Sequence, residues 1–184
     1  AEGSCSERNG VRLSIGRSNE RLVPEMTAHF AAVFGASPAL YQARERCSEL
    51  KLVNRVAALA WQQLFGFEDA DSCSKRIPDL VFNVSEALRL AFLRGYLLGD
   101  GTAAAGRLAF ATSSYDLASG LMYCLSSLGV VATISEIAPD GVGREIRGSP
   151  CVTRHRHWTI TVCAHEDLRA LHSVWQDHPA AAGI

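Results

Sequence analysis

The chain has 184 residues, 48% hydrophobic and 20% charged, with a formal net charge of −1. That length suffices for one well-packed domain or for two small halves that share a core. No apolar run approaches the roughly 20 residues of a membrane span and no basic-then-apolar leader opens the chain, so a soluble protein is expected. The near-neutral charge argues against a strongly basic nucleic-acid-binding protein. The six cysteines form no CxxC pair, which predicts free thiols in a reducing compartment.

The sequence repeats itself at an offset of 95 residues, because residues 12–35 resemble residues 107–129. Each copy opens with a short alternating strand, passes through a serine-containing N-cap (RSNE and SSYD) and continues into an amphipathic helix that ends at a glycine. A β-rich stretch and a second helix are then predicted, over residues 39–53 and 54–66 in the first half and 130–164 and 165–178 in the second. The Gly- and Pro-rich segment 138–150 is expected to be a loop. The repeat predicts an α/β domain with a pseudo-twofold axis.

The segment FLRGYLLGDGT (92–102) reads as a helix that carries three unfavourable residues. Gly95 and Gly99 each cost about 1 kcal/mol relative to alanine in a helix interior, and Asp100 faces the negative end of the helix dipole. Two glycines four residues apart leave a helix face bare, so that another helix can approach closely. An aspartate among the unpaired carbonyls of a helix end offers oxygen ligands to a divalent cation.

A twofold protein requires a second acid before the first repeat, and Glu2 occupies that place. FLRGYLLGDG resembles the second dodecapeptide motif of the LAGLIDADG homing endonucleases, and AEG (1–3) resembles the end of the first. SKRIP (74–78) is similar to the block that precedes the second motif in endonuclease domains carried by inteins.

The resemblance implies the pseudo-twofold LAGLIDADG homing endonuclease fold over residues 1–184, with halves at 1–80 and 85–184. Each half would be an αββαββα-like unit with a saddle-shaped antiparallel sheet. The first motif helix would be truncated at the start of the chain.

The resemblance also implies an intein-encoded, site-specific endonuclease that hydrolyses both strands of a long double-stranded DNA site and leaves short 3′ overhangs. Glu2 and Asp100 would be the catalytic carboxylates and the ligands of Mg²⁺, with Mn²⁺ as a substitute. Lys75 would be the basic catalytic residue, and Gly95 and Gly99 would pack the two motif helices together. The partners would be the DNA site, the host protein and the splicing domain of the intein, and the exposed motif helix would allow self-association. Such a protein acts in the prokaryotic cytoplasm, at the nucleoid.

Strand alternation identifies candidate DNA-binding residues. In VRLSIG, Leu13 and Ile15 are expected to point inward and to leave polar side chains on an open face. YQARERCS is expected to form a polar and basic strip on one side of a strand, because Gln42, Arg44, Arg46 and Ser48 alternate with Ala43, Glu45 and Cys47. Arginine and glutamine read guanine and adenine edges in the major groove. The candidates are Arg12, Ser14, Arg17, Gln42, Arg44, Arg46, Arg107, Arg154 and Arg156.

Two other functions stay open at this point. One is a degenerate or truncated LAGLIDADG domain that binds DNA, or RNA as maturases do, without cutting. A second basic residue is expected at a comparable distance after Asp100, near residues 172–178, where the sequence offers only His172 and His178. Its absence favours this function, whereas the two retained acids argue against it. The other is a structural insert without a DNA function, which the near-neutral charge supports.

Overall fold

The structure is a computed structural model that describes residues 3–8, 10–44, 47–66, 71–104, 106–139, 141, 143–146, 149–152, 155–181 and 184. The strands are β1 (Gly3–Ser6), β2 (Gly10–Gly16), β3 (Ala39–Arg44), β4 (Cys47–Leu52), β5 (Gly101–Ala104), β6 (Arg107–Thr112), β7 (Thr133–Ile137), β8 (Gly143–Ile146), β9 (Ser149–Val152) and β10 (His157–Val162). The helices are α1 (Val23–Phe34), α2 (Arg55–Phe65), α3 (Asp79–Phe82), α4 (Glu86–Asp100), α5 (Tyr115–Ser126), α6 (His165–Ala170) and α7 (His172–Trp175). A 3₁₀ helix (Arg17–Leu22) precedes α1.

The chain divides into two compact units. Unit 1 comprises Ala1–Asp69 with Pro78–Leu80, and unit 2 comprises Ala70–Ile77 with Val81–Ile184. Among the described residues, no helix is long and apolar enough to cross a membrane.

Unit 1 is built on an antiparallel four-stranded sheet, the first sheet, with the order β1-β2-β4-β3. Alternate residues of its strands face α1 and α2, because this pleat puts every second side chain on the same side. Asn54 caps α2 by accepting a hydrogen bond from the Ala57 amide at 3.0 Å. The indole of Trp61 stacks on Phe30 with ring centroids 5.9 Å apart. The buried core of the unit consists of Val11, Ile15, Phe30, Leu50, Leu52 and Ala57.

Unit 2 contains the second sheet, also antiparallel and four-stranded, with the order β5-β6-β10-β7. Helices α4 and α5 cover one side of it. Its core is larger than that of unit 1 and includes the fully buried side chains Leu93, Leu97, Leu108, Phe110, Leu121, Ile160 and Val162. The four strands of each sheet follow the same spatial order, first, second, fourth and third along the chain. The predicted α/β class and the internal repeat are therefore confirmed at the level of topology.

Segment 138–150 was expected to be a loop, and that expectation is wrong. Residues 143–146 and 149–152 form an antiparallel hairpin, β8–β9, in which Gly143 pairs with Val152 and Ile146 with Ser149. Glycine and proline are as typical of a hairpin with short arms as of an irregular loop. The composition of the segment therefore did not distinguish the two structures.

Two helix predictions also need correction. The serine of RSNE is not the cap of the first helix: Gly16 holds the N-cap position of the 3₁₀ helix, and α1 then begins with Pro24 in its first turn. Proline is favoured there because its fixed φ suits the first turn of a helix. The helix predicted over residues 165–178 breaks at Leu171 into α6 and α7. The indole of Trp175 donates a 2.7 Å hydrogen bond to the Leu168 carbonyl, which stabilises the break.

Candidate nucleic-acid interface

Asp100 is the last residue of α4, and β5 begins at the next residue. The chain makes this turn without a loop, because Gly101 adopts an extended backbone and its amide bonds the Leu97 carbonyl. A side chain at position 101 would clash, since its Cβ would lie 2.6 Å from the Leu97 Cα. Asp100 is exposed to solvent. The sequence therefore holds a carboxylate at a fixed, accessible junction between a helix and a sheet.

Tyr96 fastens the same helix turn to the second sheet. Its hydroxyl donates a 2.8 Å hydrogen bond to the Ala111 carbonyl on β6. Burial, followed by the nearby charge of Asp100, raises the pKa of Tyr96 to about 12, against the opposing effect of a hydrogen bond with Thr112. The Asp100 carboxylate is thus close enough to the phenol to disfavour a second negative charge.

The glycine face of α4 is open in unit 2. Gly95 and Gly99 are exposed, and a Cβ added at Gly95 would meet no described atom within 4 Å. Leu88, on the same face, is 58% exposed. The opposite face of the helix buries Leu93 and Leu97 completely. The packing of a second helix on the glycine face stays a prediction.

Lys75 is half-buried and lies in the segment that leads to α3. Its main-chain carbonyl accepts a hydrogen bond from the Ser114 hydroxyl. The Ser114 hydroxyl oxygen also caps α5, because it accepts a hydrogen bond from the Leu117 amide at 3.3 Å. Two residues later, Ile77 is buried with its Cγ1 3.1 Å from the position of a Cβ on Gly120. The main chain around Lys75 is therefore fixed against the start of α5 by a polar and an apolar contact.

The turn before Lys75 is closed by Asp71. Its Oδ1 accepts hydrogen bonds from the amides of Cys73 and Ser74 and from the Ser74 hydroxyl, each at 2.8 Å. These bonds lower the pKa of Asp71, because they stabilise the ionised carboxylate.

The open face of the first sheet, the side opposite α1 and α2, is polar and carries both signs of charge. Arg12 is exposed there; its Nε donates to the Ser4 hydroxyl at 3.1 Å and its Nη1 lies 3.5 Å from the Glu49 carboxylate. The register places Lys51 opposite Arg12, and Ser14 opposite Glu49. Tyr41, which is 51% exposed, pairs with Glu49 from the other side. Arg12 and Ser14 therefore lie on the open face, as their alternation predicts.

The strip predicted along residues 42–48 does not form as expected. Ser48 is buried on the helix side of the sheet, where its hydroxyl donates a 2.9 Å hydrogen bond to Glu20. Gln42 pairs with Ser48 and shares that side, although it is exposed at the sheet edge. A bulge between Gln42 and Arg44 shifts the register, so that Arg44 pairs with Cys47. The simple alternation failed because Ser48 lies in β4, where alternation with Leu50 and Leu52 puts it on the helix side, and because a bulge adds one residue to the other strand.

The remaining predicted residues have different positions. Arg107 is exposed on the open face of the second sheet, at the start of β6. Arg156 precedes β10 and forms a 2.8 Å ion pair with Glu136, whose partner in the register, Trp158, faces the helices. Arg17 is exposed at the start of the 3₁₀ helix. Glu2, Arg46 and Arg154 lie outside the described residues, as does the side chain of Arg44.

The sequence reasoning missed three side chains on the open face of the first sheet: Tyr41, Glu49 and Lys51. The signal was present in CSELKL (47–52), where Ser48, Leu50 and Leu52 alternate with Cys47, Glu49 and Lys51. Leucines at every second position fix which side faces the core. Applied to this strand, that rule would have placed Glu49 and Lys51 on the open face.

The chain is similar to known proteins in sequence and in fold. Residues 87–176 match the family model described as a LAGLIDADG-like domain. A DNA polymerase of Thermococcus kodakarensis is 47% identical over 128 residues, which are 68% of this chain and 7% of that protein. A DNA polymerase of Thermococcus sp. (strain GE8) is 27% identical over 130 residues, 69% of this chain and 7% of that protein. The chain thus spans less than a tenth of the length of these relatives.

Among solved structures, the chain is similar to the homing endonuclease I-DmoI in complex with DNA and calcium, with a TM-score of 0.64 and 15% identity over 98% of this chain and 87% of that chain. Complexes of I-DmoI with DNA and manganese, or of a variant with its target DNA and magnesium, match with TM-scores of 0.60 over 91% of this chain and 82% of those chains, at 14% and 13% identity. At this identity the likeness establishes the fold.

Proposed function

We propose that this chain, which belongs to the LAGLIDADG family and has the fold of its homing endonucleases, is the endonuclease domain of an intein and cuts both strands of a long double-stranded DNA site. The observation that carries the proposal is the position of Asp100, an exposed carboxylate held at the junction of α4 and β5. β5 is the edge strand of a sheet whose other side is open. An acid at that position would meet a DNA backbone that lies along the sheet.

The proposed host is a DNA polymerase. The polymerase relatives match about two thirds of this chain but only 7% of their own length. A segment that corresponds to so small a part of a large protein suits an inserted domain with its own fold. The splicing elements of the intein and the polymerase itself would then be its covalent partners.

The proposed cofactor is Mg²⁺, with Mn²⁺ as a substitute, held by Asp100 and Glu2. Asp100 fits a hard cation, because it supplies carboxylate oxygens at an exposed helix end. Within the described residues, no group of three or more His, Cys, Asp or Glu side chains could hold a metal. Magnesium tolerates such a sparse set, since it commonly keeps several waters and binds substrate phosphates. A bound divalent ion would supply an activated water and stabilise the leaving oxygen.

The side chains of this chain would do the rest of the work. Asp100 would orient the ion and water at one scissile phosphate, and Glu2 at the other. The Lys75 ammonium would offset the charge that develops on the phosphate. The restraint of the main chain at Lys75 by Ser114 supports such a positioned charge. In the first sheet, DNA would be bound by Arg12, Ser14, Tyr41 and Lys51. In the second sheet, Arg107 would bind it.

The test is magnesium-dependent cutting of a randomised duplex library by the wild-type chain and by Asp100→Asn. Asp100→Asn should bind the selected duplexes within about twofold of wild type and should lose cutting by at least about a hundredfold, the order of effect seen when one transition-state contact is removed. Glu86→Gln is the matched control, because it neutralises an exposed acid at the opposite end of the same helix. It should cut as the wild type does.

Two results would contradict the proposal. Equal cutting by wild type and Asp100→Asn would remove Asp100 from the chemistry. Binding of duplexes by the wild-type chain, with no cutting in Mg²⁺ or Mn²⁺, would leave a domain that recognises DNA without hydrolysing it.

A further inference from the structure

The open face of the second sheet has a chemistry unlike that of the first. The register assigns it alternate residues of all four strands, and nearly all of them are small or carry hydroxyls. They are Thr102, Ala104, Arg107, Ala109, Ala111, Thr133, Ser135, Ile137, His157, Thr159 and Thr161. Among these side chains Arg107 is the one with a permanent charge. The open face of the first sheet presents Arg12, Glu49 and Lys51.

Two hydroxyls of this face donate hydrogen bonds to main-chain carbonyls of the neighbouring strand. Thr133 donates to the Thr161 carbonyl and Ser135 to the Thr159 carbonyl, each at 3.4 Å. A hydroxyl used in this way presents lone pairs, and in threonine a methyl group, to whatever lies outside. Ala109 and Ala111 add methyl groups on the neighbouring strand. The centre of the face therefore offers methyl groups and hydroxyl oxygens that can accept hydrogen bonds.

This pattern matches one kind of base pair in the major groove. Thymine displays a C5 methyl group, which alanine and threonine methyls contact, and adenine displays the N6 amino group, which needs an acceptor. Guanine displays two acceptors, N7 and O6, which need donors such as arginine. Arg107, at the start of β6, and His157, at the start of the antiparallel β10, stand at opposite ends of the face.

We infer that the second sheet reads an A·T-rich half-site through thymine methyl groups, with guanine contacts confined to its two ends at Arg107 and His157. The inference rests on the proposed function, since it assumes that the second sheet lies along duplex DNA. It adds that the two halves of the target differ in base composition, because the first sheet carries the charged readers.

The experiment begins with a randomised duplex library, from which the wild-type chain selects binders in Ca²⁺. Each thymine of the selected consensus is then replaced singly by deoxyuridine, which keeps the base pair and removes only the methyl group. Loss of one buried methyl corresponds to about a fourfold loss of affinity. We expect that loss at several adjacent thymines in one half of the consensus.

Variants assign these thymines to the second sheet. Thr159→Ser and Thr161→Ser delete the protein methyl and keep the hydroxyl, so that deoxyuridine opposite them should cost no further affinity. Thr27→Ser is the matched control, because it deletes the same methyl from α1 in unit 1. It should keep the fourfold deoxyuridine effect at every position.

The outcomes separate this inference from the proposed function. A consensus with no A·T-rich half, or deoxyuridine effects that persist in Thr159→Ser and Thr161→Ser, would overturn the inference and leave the endonuclease proposal standing. Failure of the wild-type chain to enrich any duplex would overturn both.

Discussion

The Tyr96 hydroxyl donates its proton to the Ala111 carbonyl near the end of β6. This bond ties α4 to the second sheet one turn before Asp100. The bond joins the element that carries the candidate catalytic acid to the sheet that we propose to lie on DNA. Because Tyr96 is only 7% exposed, the bond is protected from competing water.

Tyr96→Phe should therefore weaken both stability and the proposed activity. Removing this buried hydrogen bond costs about 1 to 2 kcal/mol, which urea denaturation would measure. Cutting should fall with it, since Asp100 loses an anchor, while DNA affinity should change little. Tyr123→Phe is the control, because Tyr123 is 64% exposed on α5. Equal stabilities of the two variants would contradict a structural role for the Tyr96 hydroxyl.

The same tyrosine predicts a loss of stability at high pH. The pKa of Tyr96 is about 12 in the native state and near 10 in the unfolded chain, so the native state retains a proton that the unfolded state releases. This contribution is fully present below about pH 10 and is lost as the pH rises toward about 12, amounting to roughly 2 to 3 kcal/mol. Urea unfolding of wild type and Tyr96→Phe between these pH values would measure it. Parallel pH curves for the two proteins would contradict the prediction.

Ser114→Ala should cost more than the loss of an ordinary helix cap. Ser114 is fully buried, and its hydroxyl both caps α5 and bonds the Lys75 carbonyl. We expect a loss of about 2 to 3 kcal/mol in unfolding free energy. Asn54→Ala is the comparison, since Asn54 caps α2 through one bond to Ala57 and should cost about 1 kcal/mol.

The activity of these two cap variants tests the positioning of Lys75. If Ser114 holds the main chain at Lys75, cutting should fall in Ser114→Ala and stay unchanged in Asn54→Ala at temperatures where both proteins are folded. A similar fall in both variants would indicate a general effect of stability.

The sequence contains enough information for the topology and for the position of Asp100. The repeat at an offset of 95 residues predicted two strand–helix units, and both sheets have the same strand order. Asp100 ends its helix as predicted, because Gly101 is the residue that allows the chain to enter β5 directly. These features depend on local periodicity and on the steric freedom of glycine, and both can be read directly from the sequence.

The details of the open faces could not be predicted as well. The bulge between Gln42 and Arg44 shifts the pairing of β3 with β4, and no residue type in that strand indicates it. Arg156 lies beside Glu136, a partner 20 residues away that depends on the pairing of β7 with β10. Register and long-range pairing are properties of the assembled sheet, so that alternation within one strand identified only part of the surface.

Gly95→Ala should stabilise the chain while it impairs the proposed cutting. Alanine gains up to about 1 kcal/mol over glycine in a helix interior, and a Cβ at Gly95 meets no described atom within 4 Å. Under the proposed function a second helix packs on this face, and a methyl group would obstruct it. Thermal melting and cutting assays would show the two effects together.

Gly101→Ala is the counterpart of that variant. Its Cβ would lie 2.6 Å from the Leu97 Cα, so it should lower stability as well as activity. An activity of Gly95→Ala equal to that of wild type would show that the bare helix face is not used.

Arg12→Ala should weaken DNA binding in a salt-dependent manner. Arg12 is exposed on the open face of the first sheet, where contact with a phosphate would release about one counterion. The slope of log K against log salt concentration should therefore decrease in magnitude by about 1. Arg55→Ala is the control, because Arg55 starts α2 on the helix side of unit 1 and forms a 3.0 Å ion pair with Glu7. Its slope should equal that of wild type.

Glu49→Gln, which frees Arg12 from an opposing charge 3.5 Å away, should raise the affinity for DNA. Identical slopes for wild type and Arg12→Ala would remove this arginine from the interface.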